Sequence, residues 1–148
     1  MAVGEARLFI DRSAAVIAEF VLDLKSYSQI DAKLGKIYWV ERDGNAVTFR
    51  FRPRLLGLPG PPTTQRVVLA DDGRTIRIGG IPSALDRMAS FAASFTFDER
   101  DGGTWVTRRV EFTFAKPVAA VLDPLFGRWL QRDVDSELAG AKRLLEAR

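Results

Sequence analysis

No histidine and no cysteine occur among the 148 residues. A Ser-His triad, a thiolate nucleophile and a conventional zinc site are therefore excluded, and acid–base work falls to Asp, Glu, Lys or Tyr. One cation stands out by its position. In the alternation Val106, Arg108, Val110, Phe112, Phe114, Arg108 falls on the apolar face of a strand. A buried, unpaired guanidinium is very costly, so it calls for a core carboxylate or an acidic or carbonyl ligand head. A β-bulge at Arg108-Arg109, turning it to solvent, is the other way out. Tyr38 is a second polar group that could reach an interior. Gln65 shares a face with Val67 and Leu69 and is either a neutral hydrogen-bonding handle or a strand-end residue in water. Glu111 falls outward with Thr107, Arg109 and Thr113, which suits a cross-strand charge pair. Asp133 and Glu137 lie one helical turn apart with no third ligand near in sequence, so no metal and no cofactor is expected. Gly79-Gly80 and Gly102-Gly103 are followed by strand-like sequence, and no P-loop or dinucleotide fingerprint is present.

The elements that must position these groups are legible from periodicity. From Lys116 to Arg148 the apolar residues Val118, Val121, Leu122, Leu125, Phe126, Trp129, Leu130, Val134, Leu138, Ala141, Leu144 and Leu145 recur in steps of three and four. That is one stripe of a helix roughly 45 Å long. Pro124 either kinks it or, with Asp123 as N-cap, begins it afresh. Such a helix needs a partner for its stripe, and the strands before it are the only candidate of the right size.

Glu5 to Asp11 reads as a strand. Ser13 caps a helix through Leu24 with the stripe Val16, Ile17, Phe20, Val21 and Leu24. Asp23 caps a short helix over Lys25–Lys33, ended by Gly35. Lys36–Arg42 and Ala46–Arg52 flank the hairpin signal Asp43-Gly44. A two-residue loop puts Tyr38 and Val40 beside Val47 and Phe49, whereas a three-residue loop puts Ile37 and Trp39 there. The latter, with Trp39 inside, is the expectation. Pro53 to Pro62, with four prolines, reads as a loop. Strands follow at Thr63–Ala70, Arg74–Gly79, about Arg87–Asp98 and Thr104–Phe114, with Ile81-Pro82-Ser83 as a loop between the second and third.

The length fits one domain, residues 1–148. Charge is +3, from 22 basic and 19 acidic residues. The signs are interspersed, which gives nucleic acid little to bind. No apolar run spans a membrane and no leader is evident. A reducing cytoplasm is the simplest location for a cysteine-free chain. Strands segregated from helices indicate an α+β fold. Seven strands curling round one long helix leave more interior than side chains readily fill.

Ser13 to Ile30 (SAAVIAEFVLDLKSYSQI) is similar to a helix followed by an Asp-Leu-x-x-Tyr-Pro-x-Trp turn, with Asp23, Leu24 and Tyr27 matching and Ser28 and Ile30 replacing proline and tryptophan. Gly102-Gly103-Thr104 to Phe114, Leu122-Asp123-Pro124-Leu125 and Leu144-Leu145-Glu146 are similar to a last strand and helix. Over essentially its whole length the chain resembles the START-like or Bet v 1-like superfamily (SRPBCC), above all the bacterial polyketide cyclase/dehydrase and lipid-transport group. The resemblance implies a helix-grip fold. Its motifs specify fold rather than chemistry, since members bind lipids, sterols, polyketides or plant metabolites and only some catalyse.

The expected ligand site is a cavity between sheet and C-terminal helix. Its expected lining is Trp39, Phe49, Phe51, Val67, Leu69, Ile78, Phe91, Phe95, Phe97, Arg108, Val110, Phe112, Leu122, Phe126, Trp129 and Leu130. The expected function is binding or transport of a hydrophobic, lipid-like or polyketide-like molecule. Alternatives are a cofactor-free cyclase, aromatase or dehydratase using the same cavity, and an interaction module with a filled core. Arg50, Arg52 and Arg54, with the leucines between the prolines of 52–62, could touch an anionic membrane transiently. A monomer and a homodimer are both compatible with the sequence.

Overall fold

The computed structural model describes residues 1–81 and 89–148. The loop expected at Ile81-Pro82-Ser83 and the start of the strand expected from Arg87 fall largely outside the described residues. The alternating sequence becomes one antiparallel sheet. Its strands are β1 (Ala2–Ile10), β2 (Leu34–Asp43), β3 (Ala46–Leu55), β4 (Leu58–Pro59), β5 (Thr63–Leu69), β6 (Thr75–Gly80), β7 (Ala89–Arg100) and β8 (Gly103–Phe114). They are ordered β1-β8-β7-β6-β5-β3-β2, with β4 paired to β3 alone. Helices α1 (Ala14–Leu22) and α2 (Leu24–Tyr27) follow β1, and α3 (Val118–Glu146) closes the chain. This is the helix-grip arrangement.

Register puts the apolar positions on one face. Phe49 pairs with Gln65, Val67 with Ile78, Ile76 with Phe95 and Phe91 with Phe112. Antiparallel partners share a face, so these side chains form a continuous inner wall. Ser13 caps α1 through its side chain, accepting from Val16 N at 3.3 Å. Val16 itself is exposed, and Ala14, Ala18 and Leu22 join Ile17, Phe20 and Val21 inside. Helix α3 lies against β1 and β8. Gly4 allows that approach, because a Cβ there would meet the Leu130 carbonyl carbon and oxygen at 2.8 Å.

Four expectations are corrected. Helix α3 runs from Val118 through Pro124, so the fresh start at Asp123-Pro124 is overturned and the continuous helix stands; one backbone donor is lost there, where Val121 and Leu125 are exposed. Helix α2 stops at Tyr27, and Gly35 lies inside β2 rather than ending a helix. The proline-rich stretch does hold a ladder. Strand β3 continues through Pro53 to Leu55 and turns at Leu56-Gly57, both at positive φ, so that Leu55 pairs with Leu58 and Arg54 with Pro59. A two-residue turn of this hand matches the twist of the strands it joins, even though leucine rarely takes that conformation.

Trp39 is the fourth. Asp43 pairs with Ala46 across a two-residue loop, Val40 with Phe49 and Trp39 with Arg50, but Ile37 pairs with Phe51. A bulge between Ile37 and Trp39 switches the phase within one strand. Ile37 therefore faces in, while Trp39 shares the outer face with Arg50 and is 41% exposed. Tyr38 is likewise exposed and reaches no interior.

Candidate ligand cavity and its charged floor

The inner face of β3, β5, β6, β7 and β8 does not close completely. Phe49, Phe51, Val67, Ile78, Phe91 and Phe112 surround a cavity of about 320 Å³, with Val21, Leu24 and Tyr27 of α1 and α2 on one side and Pro53, Leu55 and Pro61 near the β3–β4 hairpin. Among the described lining residues, Pro61, Gly80 and Ser90 are exposed. Gln65 is buried in the lining, not in water.

Seven residues of the expected lining stand here: Phe49, Phe51, Val67, Ile78, Phe91, Arg108 and Phe112. Nine do not. Trp39 points outward for the reason given above. Leu69, Phe95, Phe97, Val110, Leu122, Phe126, Trp129 and Leu130 lie in the core or pack against it and are not among the described lining. Phe126 is instead enclosed by Phe112, Phe114 and Trp129, at ring centroid distances of 5.9, 4.9 and 5.7 Å. Among the described residues the cavity therefore lies between sheet and N-terminal helices, and α3 contributes none of its walls.

What α3 contributes is charge beneath the floor. Arg108 points inward from β8, only 1% exposed, with its guanidinium 4.4 Å above the Phe95 ring. One Nη lies 3.2 Å from Oε1 of Glu137, which rises from the buried stripe of α3. Arg108 thus has the core acid that its position demands, but the contact is a charge pair and not a well-aligned hydrogen bond: among the described residues Glu137 Oε1 has no hydrogen-bond partner, and neither do Arg108 Nε and Nη1.

Beside this pair lies Lys33, just before β2. Its ammonium is 2.9 Å from Asp31 Oδ1 and 3.2 Å from Glu137 Oε2, and it also contacts Asp133 Oδ2. Oxygens of Asp31, Asp133 and Glu137 lie within 4.8 Å of one another. The third carboxylate missing near Asp133 and Glu137 in sequence thus arrives from the loop after α2, and the Lys33 ammonium supplies the cation among the three. Tyr27 lies beside it, its buried hydroxyl without a partner among the described residues and its ring 5.9 Å from Phe95.

Sequence reasoning passed over Tyr27, Asp31, Lys33, Asp133 and Glu137 as a set. One signal was available. Leu130, Val134, Glu137 and Ala141 follow the spacing of the apolar stripe, which places Glu137 inside it. Glu111 does lie outward, but its partner is Arg109 two residues away on the same strand at 2.6 Å, and Arg109 also bonds Glu5 across to β1.

Burial lowers the Arg108 guanidinium to about 10, with Asp31 and Asp133 opposing the shift, so it stays charged at neutral pH. Burial also pushes the Glu137 carboxyl well above its ordinary value. An acid that holds its proton more tightly folded than unfolded contributes stability that is complete below about pH 4.3 and is lost as pH rises through the folded value. The urea midpoint is therefore expected to fall as pH rises above about 5, and Glu137→Gln to flatten that fall. An unchanged slope in the variant would assign the dependence to other groups.

The family model described as polyketide cyclase/dehydrase and lipid transport matches residues 1–146. The chain belongs to that family. Among solved structures, the family fold recurs in TTHA0849 from Thermus thermophilus, at 16% identity and a TM-score of 0.79, covering 98% of this chain and 97% of that one. The Zhui aromatase/cyclase from Streptomyces sp. R1128 shares 15% identity at a TM-score of 0.73, covering 97% and 94%. A START superfamily protein from Mycobacterium smegmatis shares 16% at 0.71, covering 98% and 99%. These likenesses show the fold. No curated protein matches the chain. No helix among the described residues is long and apolar enough to cross a membrane.

Proposed function

We propose that this member of the polyketide cyclase/dehydrase and lipid-transport family binds a hydrophobic small molecule in the cavity beneath β3–β8, as a carrier rather than a catalyst. The observation that carries this reading is the void itself. About 320 Å³ lies at the small end of ligand pockets and is walled by phenylalanine and aliphatic side chains. A void of this size forfeits packing contacts in the empty protein, and an apolar guest restores them. It also leaves the filled-core module without support. The cyclase reading keeps one attraction, the donors of Arg108, which suit a developing enolate. Against it, Asp31 is the one carboxylate in the described lining, and Lys33 neutralises it.

The uncharged fluorophore N-phenyl-1-naphthylamine tests the site. It is expected to bind saturably to the full chain, and Val67→Trp, which fills the cavity from β5, to weaken it at least tenfold while unfolding stays cooperative. Unchanged affinity in the variant would place the probe elsewhere. Native mass spectrometry of freshly purified protein then identifies any retained guest.

A further inference from the structure

Five of the eleven exposed large apolar side chains among the described residues gather at one end of the sheet. The connections between strands alternate between its two ends. One end carries the β3–β4 hairpin, the exit from β6 and the passage from β8 into α3. There Leu58, Ile81, Val118, Val121 and Leu125 face solvent, Leu58 at 69% and Val121 at 74%. Exposed apolar residues scattered singly are ordinary, but a group drawn from three elements marks a contact surface. The sequence pointed only to the leucines of 52–62, and of these Leu55 and Leu56 pack against the core. The larger share comes from α3. Val118, Val121 and Leu125 follow the spacing of one helix face, turned away from the buried Phe126 and Leu130, and the exposed Arg128 and Arg132 continue it.

Charge sorts along the same axis. Arg52, Arg54 and Lys116 are exposed at this end. In the described parts of its connections no acid is exposed, and Asp123 is held by the Met1 amino group at 2.5 Å. The turns at the other end carry Asp43, Asp71, Asp72 and Asp101. A second copy of the chain suits the basic end badly. A two-fold contact lays a patch on itself, which would set Arg52, Arg54 and Lys116 against their own counterparts. An anionic bilayer suits it well, because apolar side chains enter the boundary of headgroups and acyl chains while cations hold to the negative surface.

Independently of what the cavity holds, we propose that this end of the molecule docks on an anionic lipid surface. Leu58, Ile81, Val118, Val121 and Leu125 seat among the headgroups, and Arg52, Arg54, Lys116 and Arg128 meet the phosphates. So few side chains make a shallow, salt-sensitive attachment. Pro61 and Gly80, exposed members of the cavity lining, lie at the same end, so the docked face includes a border of the cavity.

Co-sedimentation of the full chain with vesicles tests the proposal. At low salt, binding to equal parts phosphatidylcholine and phosphatidylglycerol is expected to be saturable and at least tenfold tighter than to phosphatidylcholine alone. Added salt should weaken it steeply. Leu58→Asp and Val121→Asp should each weaken it at least fivefold. Val16→Asp is the control, since Val16 is also exposed but lies on α1 at the other end, and it should leave binding within twofold. All three positions are exposed, so the urea midpoints should barely move. Absence of binding to the mixed vesicles overturns the proposal, and so do equal losses in Val16→Asp and Val121→Asp. A lipid-free dimer in sedimentation velocity that Val121→Asp dissolves also overturns it, and gives the surface to a second copy. None of these results touches the cavity reading, because Val121→Asp without vesicles should keep its affinity for N-phenyl-1-naphthylamine within twofold.

Discussion

Lys33→Met is expected to destabilise the fold by about 3–5 kcal/mol, the usual result of removing one partner from a buried ion pair. Its ammonium is the only positive charge in direct contact with Asp31 and Asp133 among the described residues. Without it, two carboxylates from α3 and one from the loop after α2 face each other in a dry pocket, with Arg108 left to balance all three. A domain of this size is stable by about 5–15 kcal/mol, so the variant should still fold but with a much lower urea midpoint and an unchanged m-value. A loss below about 1 kcal/mol would mean that water reaches the cluster. The triple variant with Asp133→Asn and Glu137→Gln should recover much of the loss, because it removes the stranded charges as well.

Leu130→Ala should cost about 2–5 kcal/mol, in the upper half of that range. Leu130 has no exposed surface, and the penalty for truncating a buried leucine depends on how far its surroundings can collapse. Here one side is held close: the Leu130 backbone packs so near Gly4 that one added carbon there would clash with it. The same variant should leave affinity for N-phenyl-1-naphthylamine within about twofold, since Leu130 forms no part of the cavity wall. A large loss of affinity with a small loss of stability would reverse the assignment and return the ligand to the space beneath α3.

Most of the architecture can be read from the amino acids because period and burial coincide. Val47, Phe49 and Phe51 alternate with Thr48, Arg50 and Arg52, and the structure buries the first three while Arg50 and Arg52 stay exposed. Arg108 was visible by the same rule. Trp39 was not, because a bulge changes the parity of a strand without altering its composition. The β3–β4 hairpin was hidden by its prolines. Pro53 lies in β3 opposite Leu34, and Leu56 takes a conformation that composition argues against. Periodicity also shows which face of α3 is buried without showing what covers it, so Phe126, Trp129 and Leu130, expected at the cavity, lie outside its described lining. The Lys33 cluster depends on residues about a hundred positions apart, and no local pattern brings them together.

The separation of the cavity from α3 bears on how a guest would come and go. The exposed members of the described lining, Pro61, Gly80 and Ser90, belong to a different part of the molecule from the helix–strand contact that Gly4 and Leu130 make. Partial openings at one border of a protein occur at free energies far below that of global unfolding. Amide exchange at the hairpin and the start of β7 can then be fast while α3 and β1 stay protected. The residence time of a guest is in that case a property of the rim alone, free to change without any change in the melting temperature.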